Sequence, residues 1–324
     1  MPVLDFMNRG GIYCAAFLAV MLGVSSLFGQ PRTQRPHLFG LAHAAFRVSD
    51  LDKTELFYGS LLGYEEPFAL TDGTGKTTTA FVKVNDLQYL ELFQEDAQSQ
   101  AQLDHFALYT DDLTAMRAFL QGLGMYIVKD THKGRIGNPF LTIRDPDGHF
   151  VEILQYTSSS LTGQSQGKFI PASRISDHIT HVGIVVSAVD PALKFYRDAL
   201  GFREISRGSG KNGEPGWIDL RAPDGSDYIE LILLSGKPSS VDLKTPNHLG
   251  LASASVHNTL VTLQKRVPPS SPISSVTVQT GGGLPPRFNL FDPDGTRIEI
   301  MEPLPEDILP HKDPIRSQRV PSGE

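Results

Sequence analysis

The sequence predicts an α+β protein made of four copies of one strand–helix–strands unit, paired into two domains. Three observations predict it. Four segments begin alike: LAHAAFRVSDLDKTELFY (41–58), LDHFALYTDDLTAMRAFL (103–120), ITHVGIVVSAVDPALKFY (179–196) and PNHLGLASASVHNTLVTL (246–263). Four segments end alike: QYLELFQ (88–94), HFVEILQY (149–156), DYIELILL (227–234) and TRIEIMEP (296–303). Three of those endings follow a Pro-Asp-Gly turn, at Asp145-Pro146-Asp147-Gly148, Ala222-Pro223-Asp224-Gly225 and Asp292-Pro293-Asp294-Gly295.

Each opening carries a His in third place and then a short apolar alternation. Period two places alternate side chains on one face, which reads as a strand. A stretch with helical spacing follows. From His43 to Phe57, His105 to Phe119 and His181 to Phe195 the step is 14 residues each time, and the fourth copy has Thr262 there. The endings are β-prone runs with one Glu inside. In the turns before them Pro presets φ and Gly accepts positive φ, so they read as hairpin turns. One unit of about 50–60 residues is small for a core of its own. Pairing in chain order gives domains at 39–157 and 178–303. The Ser-, Gly- and Gln-rich stretch 158–177 between them reads as a flexible linker, and the proline-rich 304–324 as an extended tail.

Residues 11–24, GIYCAAFLAVMLGV, form an apolar run behind Arg9, and small residues follow up to Gly29. That layout is a secretory signal peptide over 1–29, too short for a comfortable membrane span. It predicts a secreted or periplasmic protein without membrane contact after cleavage. The alternative is an uncleaved N-terminal anchor.

The formal net charge of −7 argues against nucleic acid, which needs a basic surface. The single cysteine, Cys14, excludes an intrachain disulfide and a cysteine-based zinc site. Any bound metal must therefore be held by His, Asp or Glu. Thr71–Thr77 and Gly208–Asn212 look like phosphate loops, but Leu70 and Ile205 stand where the first Gly is needed. Polar hairpin loops over a cavity are the better reading of both.

The chemistry lies in a register. His43, His105, His181 and His248 are followed by Glu91, Glu152, Glu230 and Glu299 at spacings of 48, 47, 49 and 51 residues. Each His is on the first strand of its unit and each Glu on the last. Were those edge strands to lie side by side in a curved sheet, two facing units would bring two imidazoles and two carboxylates into one concavity. That donor set suits Zn, Ni, Co, Mn or Fe(II). On an octahedral ion it leaves two positions for substrate or water. Arg47 and Arg297 lie near these strands as candidate contacts for an anionic substrate. Trp217 and Tyr228 are candidates to line the second cavity. His37, His149, His178, His257 and His311 fall out of register and read as surface or turn residues.

In AHAAFRVSDLDKTELFYGSLLGY (42–64), THVGIVVSAVDPALKFYRDALGF (180–202), RDPDGHFVEIL (144–154) and FDPDGTRIEIM (291–301) the chain resembles the vicinal oxygen chelate superfamily, which includes glyoxalase I, bleomycin-resistance proteins and extradiol dioxygenases. The resemblance covers nearly all of 39–303. It implies βαβββ modules paired into cups around one divalent ion. It also implies that the four first-strand His and four last-strand Glu are the ligands. Glyoxalase-like members carry a ligand at all four positions of a cup, with a metal acting as Lewis acid and a Glu moving a proton. By position Glu152 and Glu299 would be those bases. Ring-cleaving members carry a Tyr three residues before the Asp of the Asp-Pro turn, and Thr142 and Asn289 stand there instead. His132 lies upstream, out of register. The leading expectation is an exported, metal-dependent isomerase or lyase, monomeric or homodimeric, acting on a small substrate with adjacent oxygens. Fe(II) ring cleavage and non-catalytic ligand sequestration are the alternatives.

Overall fold

The computed structural model describes residues 34–95, 102–209, 215–233, 247–281 and 284–303. The expected signal peptide and the tail lie outside the described residues. The first half forms β1 (Gly40–Val48), β2 (Glu65–Thr71), β3 (Thr77–Lys83), β4 (Tyr89–Gln94), β5 (Gln102–Tyr109), β6 (Ile127–Lys133), β7 (Pro139–Arg144) and β8 (Phe150–Leu154). The second half repeats the set as β9 (Ile179–Val186), β10 (Arg203–Ser209), β11 (Pro215–Arg221), β12 (Tyr228–Leu233), β13 (His248–Ala252), β14 (Gln279–Gly281), β15 (Leu284–Phe291) and β16 (Arg297–Met301). Each half is one eight-stranded sheet, ordered β2-β3-β4-β1-β5-β8-β7-β6 and β10-β11-β12-β9-β13-β16-β15-β14.

Units one and two therefore share a sheet, as do three and four. The first and last strands of each unit are not edges, however. They are the four central strands of their sheet. β1 runs parallel to β4 and antiparallel to β5, and β5 runs parallel to β8. The edges are β2, β6, β10 and β14.

A helix follows the first strand of every unit: α1 (Leu51–Glu55), α2 (Leu113–Gly122), α4 (Val189–Leu193) and α5 (Val256–Arg266). α1 and α4 continue as π turns through Leu61 and Ala199. Asp50, Asp112 and Ser255 cap their helices by accepting from Lys53 N, Ala115 N and Asn258 N, which satisfies an otherwise orphaned amide at each start.

Period two splits each central strand between two environments. Ala44, Phe46, Leu90, Leu92, Phe106, Leu108, Val151 and Ile153 point one way into an apolar core. Their counterparts Val182, Ile184, Ile229, Leu231, Leu249, Leu251, Ile298 and Ile300 enter the same core from the second sheet. Each such Val, Leu, Ile or Phe side chain contributes about 1.5–3 kcal/mol when fully buried. From Gln34 onward the chain accordingly clusters as one unit.

Two matched contacts lock the halves. Tyr196, in the π turn after α4, donates to Asp145 Oδ2 at 2.9 Å, and Tyr58, after α1, donates to Asp292 Oδ2 at 3.5 Å. Beside them Ser187 N donates to Asp147 Oδ1 and Ser49 N to Asp294 Oδ2, each at 3.0 Å. The hairpin turns read from the sequence thus also join each half to the other.

Residues 158–177 are packed rather than solvated. They contain the short helix α3 (Leu161–Gln164), and Ser160, Thr162, Ser165 and Ser176 are buried. The buried Lys83 ammonium donates to Ser165 O at 2.5 Å and Lys168 O at 2.9 Å. Asn138 donates to Thr162 Oγ1 at 2.8 Å. The polar composition suggested solvent, but here it supplies the hydrogen bonds that burial requires. Among the described residues no helix is long and apolar enough to cross a membrane.

Candidate metal centres

The faces of the central strands turned away from the core carry the His/Glu register. On that face of the first sheet His43 lies across from Ala107, and Ala45 lies between His105 and Glu91. Ala107 likewise has Glu152 beside it on β8. The second sheet repeats the arrangement with glycine. His248 faces Gly183, His181 faces Gly250, and Glu230 and Glu299 sit beside those glycines. A Cβ on Gly183 would lie 2.0 Å from the His248 ring, and one on Gly250 would lie 2.0 Å from the His181 ring. The small residue two places after each His is what lets the imidazoles converge. That signal was present in all four openings and went unread.

In the first cup the Nε2 atoms of His43 and His105 stand 3.0 Å apart. Glu91 reaches His43 at 3.8 Å and His105 at 3.9 Å. These three offer donor atoms all within 4.8 Å of one another. Glu152 Oε2 is 3.8 Å from His43 and 3.6 Å from His105, but lies outside that compact group. In the second cup all four predicted residues close together within the same limit. The Nε2 atoms of His181 and His248 are 2.9 Å apart, with Glu230 and Glu299 oxygens 3.4–3.8 Å from them.

The surroundings differ. Asp104 accepts from His105 Nδ1 at 2.7 Å, and Arg47 holds Asp104 through its Nε at 2.5 Å. Arg47 is thus engaged behind the site, with Asp104 and Glu95, and the anion-contact reading does not hold for it. In the second cup Arg297 donates to His248 Nδ1 at 2.6 Å, and Arg287 lies 3.3 Å from Glu299 Oε1.

The electrostatics follow these contacts. Burial raises Glu91 to about 7, with the Glu152 charge adding and His105 opposing. Burial also raises Glu152. His43 is driven well below its usual value by burial and by His105. Burial opposes protonation of His105 as well, but Asp104, Glu152 and Glu91 together raise it. In the second cup burial would raise Glu299, yet the bond from His181 and the neighbouring positive groups bring it down to about 2. Glu230 is lowered too, by His248 and His181 against burial.

The first cup encloses about 440 Å³. Phe81, Phe93 and Phe140 supply its apolar lining, and Lys129, His132 and Arg135 also line it. His132, out of register in the sequence, lies over Phe140 with ring centroids 4.1 Å apart. The second cup is similar in size at about 420 Å³, with Trp217, Asp219, Tyr228, Arg287 and Arg297 in its wall. Tyr228 stacks on His181 at 4.6 Å. Three of the other histidines have local partners: His149 bonds Asp145, His178 pairs with Asp227, and His37 contacts Asp111. The Thr71–Thr77 stretch is the hairpin loop expected, held by Asp72 accepting from Thr74 and Lys76 amides. Residues 210–214 of its counterpart lie outside the described residues.

Two buried His and two Glu facing one point, on a sheet of paired strand–helix–strands units, define a class of metal-binding cup proteins. The profile of the Glyoxalase/Bleomycin resistance protein/Dioxygenase superfamily matches residues 40–153 and 178–300, and the chain belongs to that superfamily. It is 22% identical over 204 residues to a lactoylglutathione lyase of Schizosaccharomyces pombe, covering 54% of this chain and 64% of the relative. It is 28% identical over 126 residues to a probable lactoylglutathione lyase of Synechocystis, covering 36% of this chain and 96% of the relative. The match to the lactoylglutathione lyase of Arabidopsis thaliana is 26% over 180 residues, 51% of this chain and 56% of that protein. The chain thus spans well under two thirds of the plant relative and just under two thirds of the yeast one. Among solved structures, the 2,3-dioxygenase LapB from Pseudomonas sp. KL28 superposes with a TM-score of 0.63 at 18% identity, over 84% of this chain and 96% of that one. Homoprotocatechuate 2,3-dioxygenase from Brevibacterium fuscum gives 0.60 at 20%, over 86% and 85%. At these identities the likeness is one of fold.

Proposed function

We propose that this chain is an exported, metal-dependent isomerase or lyase of the glyoxalase type, with its working centre in the first cup. The observation that carries the reading is the His43–Glu91–His105 group together with Asp104. A carboxylate only accepts, so His105 carries a proton on Nδ1, and its Nε2 is the atom turned toward His43 and the carboxylates. That is the carboxylate–histidine support typical of a metal ligand. The donor set therefore fits Zn, Ni, Mn or Fe(II).

When bound, a divalent ion supplies Lewis-acid polarisation of a substrate carbonyl. His43, Glu91 and His105 would hold it. Glu152 would take a proton from the carbon beside that carbonyl and return it to the neighbouring carbon. It suits the task by lying outside the compact group and by its raised proton affinity. Phe81, Phe93 and Phe140 would pack the apolar part of the substrate and exclude water. Lys129 and Arg135 would receive an anionic end. Glu299, held down to about 2 and engaged by Arg287, is the weaker of the two bases expected from position. Thr142 and Asn289, where a ring-cleaving member carries Tyr, disfavour the dioxygenase alternative.

The test is the metal content of the chain, purified without chelator or affinity-tag nickel, beside His105→Ala and His248→Ala. Retained metal in His248→Ala and its loss in His105→Ala, with turnover of a 2-oxoaldehyde–thiol adduct following the metal, is the expected result. A chain that takes up no metal after reconstitution is a ligand-sequestering protein instead.

A further inference from the structure

Matched register positions differ between the cups in a consistent way. The residue preceding the second His of each cup is Asp104 in one and Asn247 in the other. The residue beside that His on the last strand is Phe150 in one and Arg297 in the other. Two residues before Thr142 and Asn289 stand Phe140 and Arg287.

These exchanges act on the second His. Asn247 is turned away and accepts from Val185 N at 2.9 Å. Arg297 reaches His248 instead, its Nη2 standing 2.6 Å from Nδ1 and 3.1 Å from Nε2. A guanidinium only donates. The one guanidinium nitrogen thus lies within hydrogen-bond reach of both ring nitrogens of His248, including Nε2, the atom aimed at His181. A cation on Nε2 would compete with that donor for the nitrogen lone pair and stand beside its positive charge, or Arg297 would have to move. The Arg297 Nε is buried without a hydrogen-bond partner, so the side chain has no second anchor at that atom. The charge is also already balanced, because Arg287 faces Glu299 while Arg297 stands beside His248. Among the described residues no Lys or Arg forms an ion pair with Glu91 or Glu152.

We infer that the two cups are unequal cation sites, and that Arg297 is the residue that weakens the second one although its four donors are the better clustered. The inference rests on the metal reading above. Partners of this kind shift metal affinity by about 10–100-fold, so the second site is expected to bind at least about tenfold more weakly than the first.

Trp217 makes the test selective, since it is the only tryptophan and lines the second cup. The full chain, stripped of metal, is titrated with Ni²⁺ alone. Calorimetry reads both sites, and quenching of Trp217 emission by the paramagnetic ion reads the second. The expected result is one tight equivalent with little quenching, then a weaker phase that quenches. Arg297→Met is expected to move the quenching midpoint at least about tenfold lower in Ni²⁺. The paired change Asn247→Asp with Arg297→Phe, which copies the first cup, should do the same if the single variant folds poorly. Quenching within the first tight equivalent overturns the inference and leaves the metal reading intact. An unmoved midpoint in folded variants overturns the role of Arg297. No Ni²⁺ bound at either cup removes the metal reading and the inference with it.

Discussion

The two cups are built on one backbone plan and differ in what was laid over it. Each has two His and two Glu at the same strand positions, and their volumes are within 20 Å³ of each other. Size therefore does not separate them. At three matched positions the first cup has Phe81, Phe140 and Phe150 and the second has Asp219, Arg287 and Arg297. The first sets rings beside the His/Glu group at these positions and carries Lys129 and Arg135 elsewhere in its lining. The second neutralises the group with guanidinium ions. The donor set is shared, so what separates the cups is what stands against the imidazoles: Asp104 on His105 Nδ1, Arg297 against both nitrogens of His248.

The comparison can be broken most sharply by deleting ligands. His105→Ala is expected to abolish tight metal binding and all activity, whereas His181→Ala leaves one tight ion per chain. Metal analysis after dialysis distinguishes the two. Asp104→Asn keeps the shape but removes the carboxylate acceptor behind His105, and should cost about 10–100-fold in metal affinity at the first cup, read by competition with a chelator. Asn247→Ala, at the same position of the second cup, should leave the tight site unchanged.

Packing gives a smaller effect. Gly250→Ala forces a methyl group against the His181 ring and should destabilise the protein by about 1–3 kcal/mol. The matched change Ala107→Gly should cost only about 0.5–1 kcal/mol. Urea unfolding midpoints measure both.

The cups should also respond oppositely to pH in the metal-free protein. Glu91 is raised from 4.5 to about 7, so the folded state holds its proton longer than the unfolded chain does. Stability falls as pH rises through that window. Glu299 is lowered from 4.5 to about 2, so its contribution is full above 4.5 and is lost as pH falls toward 2. Thermal midpoints of Glu91→Gln and Glu299→Gln against wild type should diverge in those two windows respectively. Equal profiles would remove the electrostatic distinction.

The smallest difference lies in the two interdomain contacts. Tyr196→Phe removes a 2.9 Å bond to a buried Asp and should cost about 0.5–1.5 kcal/mol. Tyr58→Phe removes only a 3.5 Å contact and should cost less. A larger loss in Tyr58→Phe would mean that the second turn, not the first, bears the association of the halves.

Much of this was legible in the chain. The fourfold repeat could be read because strand alternation, helix spacing and Pro-Asp-Gly turns are local patterns. The pairing of units and the eight His and Glu followed from those patterns. Other features were not legible, since each depends on residues far apart in sequence. His132 reaches the first cup only because β6 folds back along β7. The Tyr196–Asp145 bond spans 51 residues and Tyr58–Asp292 spans 234. The seat of 158–177 needed Lys83 to be buried beneath it. Ala45, Ala107, Gly183 and Gly250 were visible, but their smallness gained meaning only when β1 was placed against β5 and β9 against β13.

By itself, then, the sequence determined the unit, its repetition and the His and Glu donor types, because these are set by periodicity and residue chemistry along a short stretch. Only the tertiary structure decided that the His-bearing strands are central, that both halves share one core, and that Asp104 serves one imidazole while Arg297 serves its counterpart. Those outcomes depend on cross-strand register, where a shift of one residue would turn every side chain to the opposite face.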